Sequence, residues 1–210
     1  MRKTYAALLS MCDHYLGKVL DLMDENDLWK DTMLIVNTDH GFLLGEHDFW
    51  GKNIMPWYNE TALIPLFIWD PRSRIAGERR SALVQTIDLP VTLLRFFGLD
   101  KTKDMEGYDL ADTLVRDTPV RGAAMFGVYG GHACVTDGRY VYMRGIGEGE
   151  NEPLYQYTYM PTHLYNMFSV PEMLTTELAE PFAFTKGCRL MKIRSGRWVD
   201  KDTHARIGYV

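Results

Sequence analysis

The run Thr32-Met33-Leu34-Ile35-Val36-Asn37-Thr38 leads directly into Asp39-His40-Gly41, and no other stretch constrains the chain as much. Its apolarity is continuous, without alternation, which is the pattern of a strand covered on both faces, as in a parallel sheet. In open α/β sheets ligands bind just beyond the carboxyl ends of the strands. The sequence therefore puts a carboxylate and an imidazole where chemistry is expected.

The flanks support an α/β core. Residues 4–25 carry Tyr5, Leu8, Leu9, Cys12, Leu16, Val19, Leu20 and Met23 at helical spacing. Met1-Arg2-Lys3 and the apolar residues after it have a trace of a signal peptide, but Asp13 and His14 end that run and an amphipathic helix continues. Pro65 to Trp69 reads as a second short strand. Asp88-Leu89-Pro90 opens a helix, with Asp88 as N-cap and Pro90 in the first turn, and Gly98 stops it.

Beyond about residue 118 the character changes. Arg121–Val128, Ala133–Thr136 and Arg139–Arg144 read as strands, with Asp137-Gly138 a hairpin turn between the last two. Residues 145–170 read as a long structured loop and Pro171–Glu180 as a helix, while the tail from 185 has no clear period. The expected organisation is residues 1–118 as part of an α/β core and 119–210 as a small antiparallel subdomain.

Composition removes some function classes. The 28 acidic and 23 basic residues give a net charge of −5, with no basic stripe, so a nucleic-acid partner is not expected. No run reaches the roughly 20 apolar residues of a membrane span. Cys12, Cys134 and Cys188 are far apart and form neither a disulfide framework nor a zinc motif.

The chemistry is concentrated between Thr38 and Lys52. That stretch holds Asp39, Glu46 and Asp48, two imidazoles (His40 and His47), the Lys52 ammonium, and Gly41, Gly45 and Gly51. Asp39 and His40 can converge on one ion if the backbone leaves the strand there, a turn that Gly41 permits. A carboxylate suits a hard divalent cation, and an imidazole admits manganese or zinc as well. Lys52 can fold back to meet an anionic group held by that ion.

The pattern T-D-H-G-x-x-L-G-E-H-x-x-W-x-K in these residues closely resembles the C-terminal metal and sulfate motif of the sulfatases, in the alkaline-phosphatase superfamily. Asp-His in place of the commoner Asp-Asn is similar to iduronate-sulfatase-like and related bacterial enzymes. Tyr5-Ala6 through Asp13 and Gly17 resembles the family helix before this strand, and Pro65-Leu66-Phe67-Ile68 the strand after it. Asp88-Leu89-Pro90-Val91-Thr92-Leu93-Leu94 resembles D-L-x-P-T-L-L with its proline displaced. Glu106 to Leu110, Asp137 to Tyr140 and Leu164-Tyr165-Asn166-Met167 resemble later turns and strands more loosely.

The resemblance implies a partial alkaline-phosphatase-like parallel or mixed sheet with helices, followed by a small C-terminal antiparallel sheet. It implies that Asp39 and His40 are metal ligands, calcium most often, with manganese or magnesium as alternatives. Lys52 would contact the sulfate of a sulfate ester, with sulfated carbohydrate the default substrate. His47 is a catalytic-site candidate, as a substrate contact or a support to one. His132, in Gly130-Gly131-His132, is a candidate substrate contact, against the plainer reading of a hairpin-edge histidine.

Sulfatases attack sulfur with a formylglycine made from Cys or Ser in C/S-x-P/A-x-R. That motif and the N-terminal Asp-Asp metal pair are not encoded in this chain. The expectation is therefore a sulfatase fragment that is inactive alone, carrying half of a site. A sheet without its neighbours exposes apolar surface, which predicts a homo-oligomer or association with the missing N-terminal half. Two rivals stand beside this reading. One is a phosphonate monoester or phosphodiester hydrolase of the same superfamily. The other is a non-enzymatic remnant or interaction module.

Overall fold

The computed structural model describes residues 1–52, 57–145, 153–163 and 166–195. The first part contains helix α1 (Arg2–Glu25), strands β1 (Leu34–Asn37), β2 (Leu43–Leu44) and β3 (Trp50–Gly51), helix α2 (Asn59–Ala62), strand β4 (Leu66–Trp69) and helices α3 (Asp88–Phe96) and α4 (Ala111–Arg116). The second part contains β5 (Ala124–Gly127), β6 (Ala133–Thr136), β7 (Val141–Arg144), β8 (Leu154–Thr158), α5 (Val170–Leu174), β9 (Glu177–Ala179) and β10 (Leu190–Ser195). No helix among the described residues is long and apolar enough to cross a membrane.

Helix α1 forms where the apolar spacing requires it. It ends at Asn26, whose side-chain amide donates to the Leu22 carbonyl at 2.9 Å, and Asp27 then takes a left-handed conformation. Met23 is its buried residue, while Leu8, Leu9, Tyr15 and Leu22 are exposed. The helix is held by a few specific contacts. Arg2 Nε donates to the Leu44 carbonyl at 2.6 Å, and the Tyr5 ring lies 5.9 Å from that of Phe42. Past its end, Trp69 Nε1 donates to the Trp29 carbonyl at 3.0 Å, with the two indoles edge to face.

Both expected strands form, but their pairing differs from the parallel arrangement read from the apolar run. β1 and β4 are antiparallel, with Leu34 opposite Trp69 and Asn37 opposite Leu66. Continuous apolarity reports burial on two faces and is blind to strand direction. Here the two strands make a two-stranded sheet, and Phe67 still faces solvent.

Helix α3 lies over 88–96 as its composition predicts. It closes in a Schellman arrangement, Leu99 N to Leu94 O at 2.8 Å and Gly98 N to Arg95 O at 3.1 Å, with Gly98 at φ 72°. Asp88 is not its N-cap; that position falls to Ile87. The Asp88 carboxylate instead accepts the Gln85 N–H at 2.7 Å and the Tyr108 N–H at 2.9 Å, fully buried. Thr92 Oγ1 donates to the Asp88 carbonyl and accepts the Leu110 N–H, so α3 fixes the turn before α4 through a buried hydroxyl.

The strands β5, β6 and β7 make the expected antiparallel meander, with Phe126 opposite Cys134 and Cys134 opposite Met143. Its second turn is held by Asp137 Oδ1, which accepts the N–H groups of Arg139 and Tyr140 at 2.9 and 2.7 Å, as an Asx turn requires.

Two expectations are corrected farther along the chain. The stretch expected as a loop contains β8, and the helix expected over 171–180 stops at Leu174 and gives way to β9. Thr175 and Thr176 are β-branched and ill-suited to prolong a helix, and both hydroxyls turn back to the Glu172 carbonyl. The tail supplies β10, which lies between β8 and β9 and is antiparallel to both. Leu190 and Ile193 are the buried residues of β10. Residues Leu164 and Tyr165 of the expected strand, and 196–210, lie outside the described residues.

Candidate active site

β1 ends at Asn37, and the chain turns through Thr38 to His40. The turn is fastened locally. Thr38 Oγ1 donates to the His40 carbonyl at 3.2 Å, and Asp39 Oδ1 accepts the His40 N–H at 3.0 Å. Gly41 is required here by close approach, not by an unusual φ. A Cβ on Gly41 would lie 1.8 Å from the Glu60 carbonyl oxygen, because the Gly41 and Phe42 N–H groups bond to the Thr61 and Glu60 carbonyls at 2.9 and 3.0 Å.

Three of the expected residues converge on one point, the Nε2 atom of His40. Asp39 Oδ2 is 3.3 Å from it, and Lys52 Nζ is 2.7 Å from it. His40 Nδ1 lies 2.8 Å from the Gly41 carbonyl oxygen, which can only accept, so Nδ1 carries the proton. In a neutral ring Nε2 is then the lone-pair atom, and the donating Lys52 ammonium agrees. Burial works against ionisation of Asp39, but the charge of the His40 ring when that ring is protonated, nearby backbone N–H groups and the Thr38 hydroxyl outweigh it. Its carboxyl therefore titrates below the ordinary carboxylate value.

This donor set fits a divalent cation. A metal-bound histidine commonly gives its second N–H to a backbone carbonyl, as His40 does. Asp39 adds a carboxylate oxygen, and Lys52 adds positive charge beside it. The set is partial: no group of three or more His, Cys, Asp or Glu side chains among the described residues is placed to hold a metal.

His47 occupies a separate turn between β2 and β3, at φ 55°. Its ring stacks on Tyr58, centroids 3.7 Å apart and planes 11° from parallel, and its Nε2 lies 3.3 and 3.4 Å from the two Glu60 carboxylate oxygens. Glu46, one residue earlier, accepts the Leu44 N–H at 2.5 Å, which holds its carboxyl below the ordinary value. Arg2 lies over the Trp50 ring and against Gly45, where a Cβ would meet its guanidinium at 2.7 Å. His132 stands on the meander, at the start of β6, where a Cβ on Gly145 would lie 3.3 Å from its Nε2.

Sequence reasoning missed Glu60, Tyr58 and Arg2. Glu60 lies 13 positions past His47, and no periodic pattern links the two. The pairing exists because Gly41-Phe42 runs alongside Glu60-Thr61. Arg2 reads as the start of a helix, and its partner Leu44 lies 42 positions away.

The family model described as Sulfatase matches residues 1–99. That segment is similar to sulfatase-family sequence. It holds α1, the Asp39–His40–Lys52 cluster, the Glu60 turn, β4 and α3. The chain is 34% identical over 120 residues to the multifunctional alkaline phosphatase superfamily protein PehA of Trinickia caryophylli, covering 57% of this chain and 23% of that one. It is 30% identical over 131 residues to an N-acetylglucosamine-6-O-sulfatase of Bacteroides thetaiotaomicron, covering 60% of this chain and 23% of that one.

Among solved structures, one is of a protein in complex with its substrate D-glucosamine-2-N,6-O-disulfate. It superposes with a TM-score of 0.58 at 26% identity, over 65% of this chain and 30% of that one. A phosphonate monoester hydrolase from Silicibacter pomeroyi shares the fold, with a TM-score of 0.57 at 24% identity over 63% and 30% of the two chains. The chain thus spans about a quarter of the length of these relatives. Sulfatases are in general metal-dependent.

Proposed function

We propose that this chain carries the C-terminal metal- and sulfate-facing part of the active site of a sulfuric ester hydrolase. The observation that carries the reading is the convergence of Asp39 Oδ2 and Lys52 Nζ on His40 Nε2, at 3.3 and 2.7 Å. Asp39 and His40 Nε2 would hold the cation, with calcium the first choice for a site that draws a carboxylate from a sulfatase-family segment. The bound cation would draw charge off the sulfate oxygens.

The chain's own residues do the rest. Gly41 fixes the His40 tautomer through its carbonyl, and Asp39 stays ionised through the partners that lower its pKa. Lys52 supplies an ammonium to a sulfate oxygen, an interaction that strengthens wherever negative charge grows on that oxygen. No Cys or Ser in the sequence stands in C/S-x-P/A-x-R, so these residues bind and orient, and the attacking oxygen is not theirs. A sulfated sugar is the proposed substrate class, supported by the amino-sugar relative and the disulfated glucosamine complex. The superfamily resemblance to a phosphonate monoester hydrolase supports a phosphorus ester as a second, weaker reading.

Calorimetric titration of the full chain with calcium tests the metal site. The wild type is expected to bind, and Asp39→Ala and His40→Ala to lose most of the heat while their circular dichroism is unchanged. Equal heats in wild type and both variants, or none in the wild type with calcium or manganese, overturn the reading.

A further inference from the structure

We propose that Glu60 is a positioning residue of this site, holding His47 as a contact for the anionic group of the substrate; the proposal rests on the sulfate-ester reading above. Glu60 acts through two ends. Its main-chain carbonyl accepts the Phe42 N–H at 3.0 Å, one residue past the Gly41 whose carbonyl sets the His40 tautomer. Its carboxylate lies 3.3 and 3.4 Å from His47 Nε2 with both oxygens. One residue thus joins the metal-ligand loop to the histidine turn.

The rest of the turn is built around that imidazole. Tyr58 covers one ring face at 3.7 Å. His47 and the next residue, Asp48, both hold left-handed backbone, φ 55° and 63°, which is uncommon for non-glycine residues. Gly45 opens the same turn at φ 102°, with Arg2 and Trp50 packed against it. With Nε2 directed at a carboxylate, which can only accept, Nε2 carries a proton. Among the described residues Nδ1 has no hydrogen-bond partner. The side chain is 40% exposed, so part of the ring is accessible to a ligand. When both ring nitrogens carry a proton, one faces the Glu60 carboxylate and the other can donate to a sulfate oxygen in front.

Two alternatives elsewhere carry less. Ser169, Glu172 and His163 gather three reactive types, but the serine and histidine both bond to Glu172 and not to each other, which is a helix cap. The buried Asp88–Arg121 pair has no open side.

The test is proton–carbon NMR of the histidine ring resonances in the full chain, with His47 assigned by its loss in His47→Gln and His40 by its loss in His40→Gln. Sodium sulfate is titrated against sodium chloride at equal ionic strength, and calcium in a separate series. Sulfate is expected to move the His47 resonance in wild type. Glu60→Gln, which keeps size and the main-chain bond, is expected to weaken that response at least several-fold. Its circular dichroism and the calcium response of His40 should match wild type, and Glu60→Asp should recover part of the sulfate response. An unmoved His47 resonance in wild type, or an undiminished response in Glu60→Gln, overturns the proposal. A His40 resonance that ignores calcium overturns the metal reading instead, so the two failures are told apart.

Discussion

Arg121 grips Asp88 with both terminal nitrogens, each 2.5 Å from a different carboxylate oxygen. Asp88 is fully buried, and the Arg121 side chain is nearly so, lying under the Tyr108 ring. This pair ties the start of α3 to the segment that leads into β5, so it joins the segment that the Sulfatase model matches to the β5–β7 meander.

Removing one partner of such a pair leaves an unpaired buried charge. Asp88→Asn is expected to lower unfolding free energy by about 3 kcal/mol. The double variant Asp88→Asn, Arg121→Met should recover part of that loss, because it removes the stranded charge as well. Urea denaturation of the three proteins measures both effects. Equal stability of Asp88→Asn and wild type would show that the pair contributes nothing.

The same carboxylate sets an acid limit. Burial pushes the Asp88 pKa up, but Arg121 and the N–H groups of Gln85 and Tyr108 outweigh it, and the net direction is down. A depressed folded pKa means that the contribution is complete above the ordinary Asp value of about 3.9 and fades as pH falls through the lower folded value. The stability gap between wild type and Asp88→Asn should therefore be widest near neutrality and close in strong acid, as read from urea midpoints across pH.

Glu172 gives a second acid-sensitive point, on α5. Two Ser169 donors and His163 hold its carboxyl down to about 2. Its stabilisation of the capping box is present above the ordinary Glu value of about 4.3 and is lost between there and about 2. Ser169→Ala should cost about 1 kcal/mol at neutral pH, seen as faster amide exchange in α5 before any change in α3.

Gly41→Ala tests the fit of the ligand loop against α2. The added methyl falls 1.8 Å from the Glu60 carbonyl oxygen. The strain should cost about 2 kcal/mol or more and separate Phe42 from Glu60, lowering calcium affinity without touching a ligand. Calorimetry showing wild-type affinity in this variant would mean that the loop holds its shape by other contacts.

The sequence is readable where a pattern is local and hidden where it is not. α1 and α3 show in the spacing of Leu8, Leu16, Leu20 and of Val91 and Leu94, and the Asp137 turn shows in its dipeptide. β10 has no such mark: Leu190 and Ile193 are its buried residues, three apart and thus out of the two-residue alternation of a strand. Its identity comes from β8 and β9, to which it pairs. In the site, Asp39, His40 and Lys52 are visible as a motif, and the structure brings them together. Glu60 is not, because its tie to His47 depends on how α2 lies along Gly41 and Phe42. The N-cap expected of Asp88 fails for a related reason. An acidic residue at a helix start has a default local use, and here a distant arginine takes it over.

The three-stranded sheet β8-β10-β9 sets an order of events during synthesis. β6 meets β5 and β7 across short turns, so that meander can close while the chain is still growing. β8 and β9 leave the ribosome before the strand that belongs between them, and each has an open edge until β10 arrives. Closing that gap spans more than thirty residues from Thr158 to Met191 and carries the entropy of a long loop. The emergence of β10 thus decides whether this sheet is completed or offers two unsatisfied edges to a neighbour.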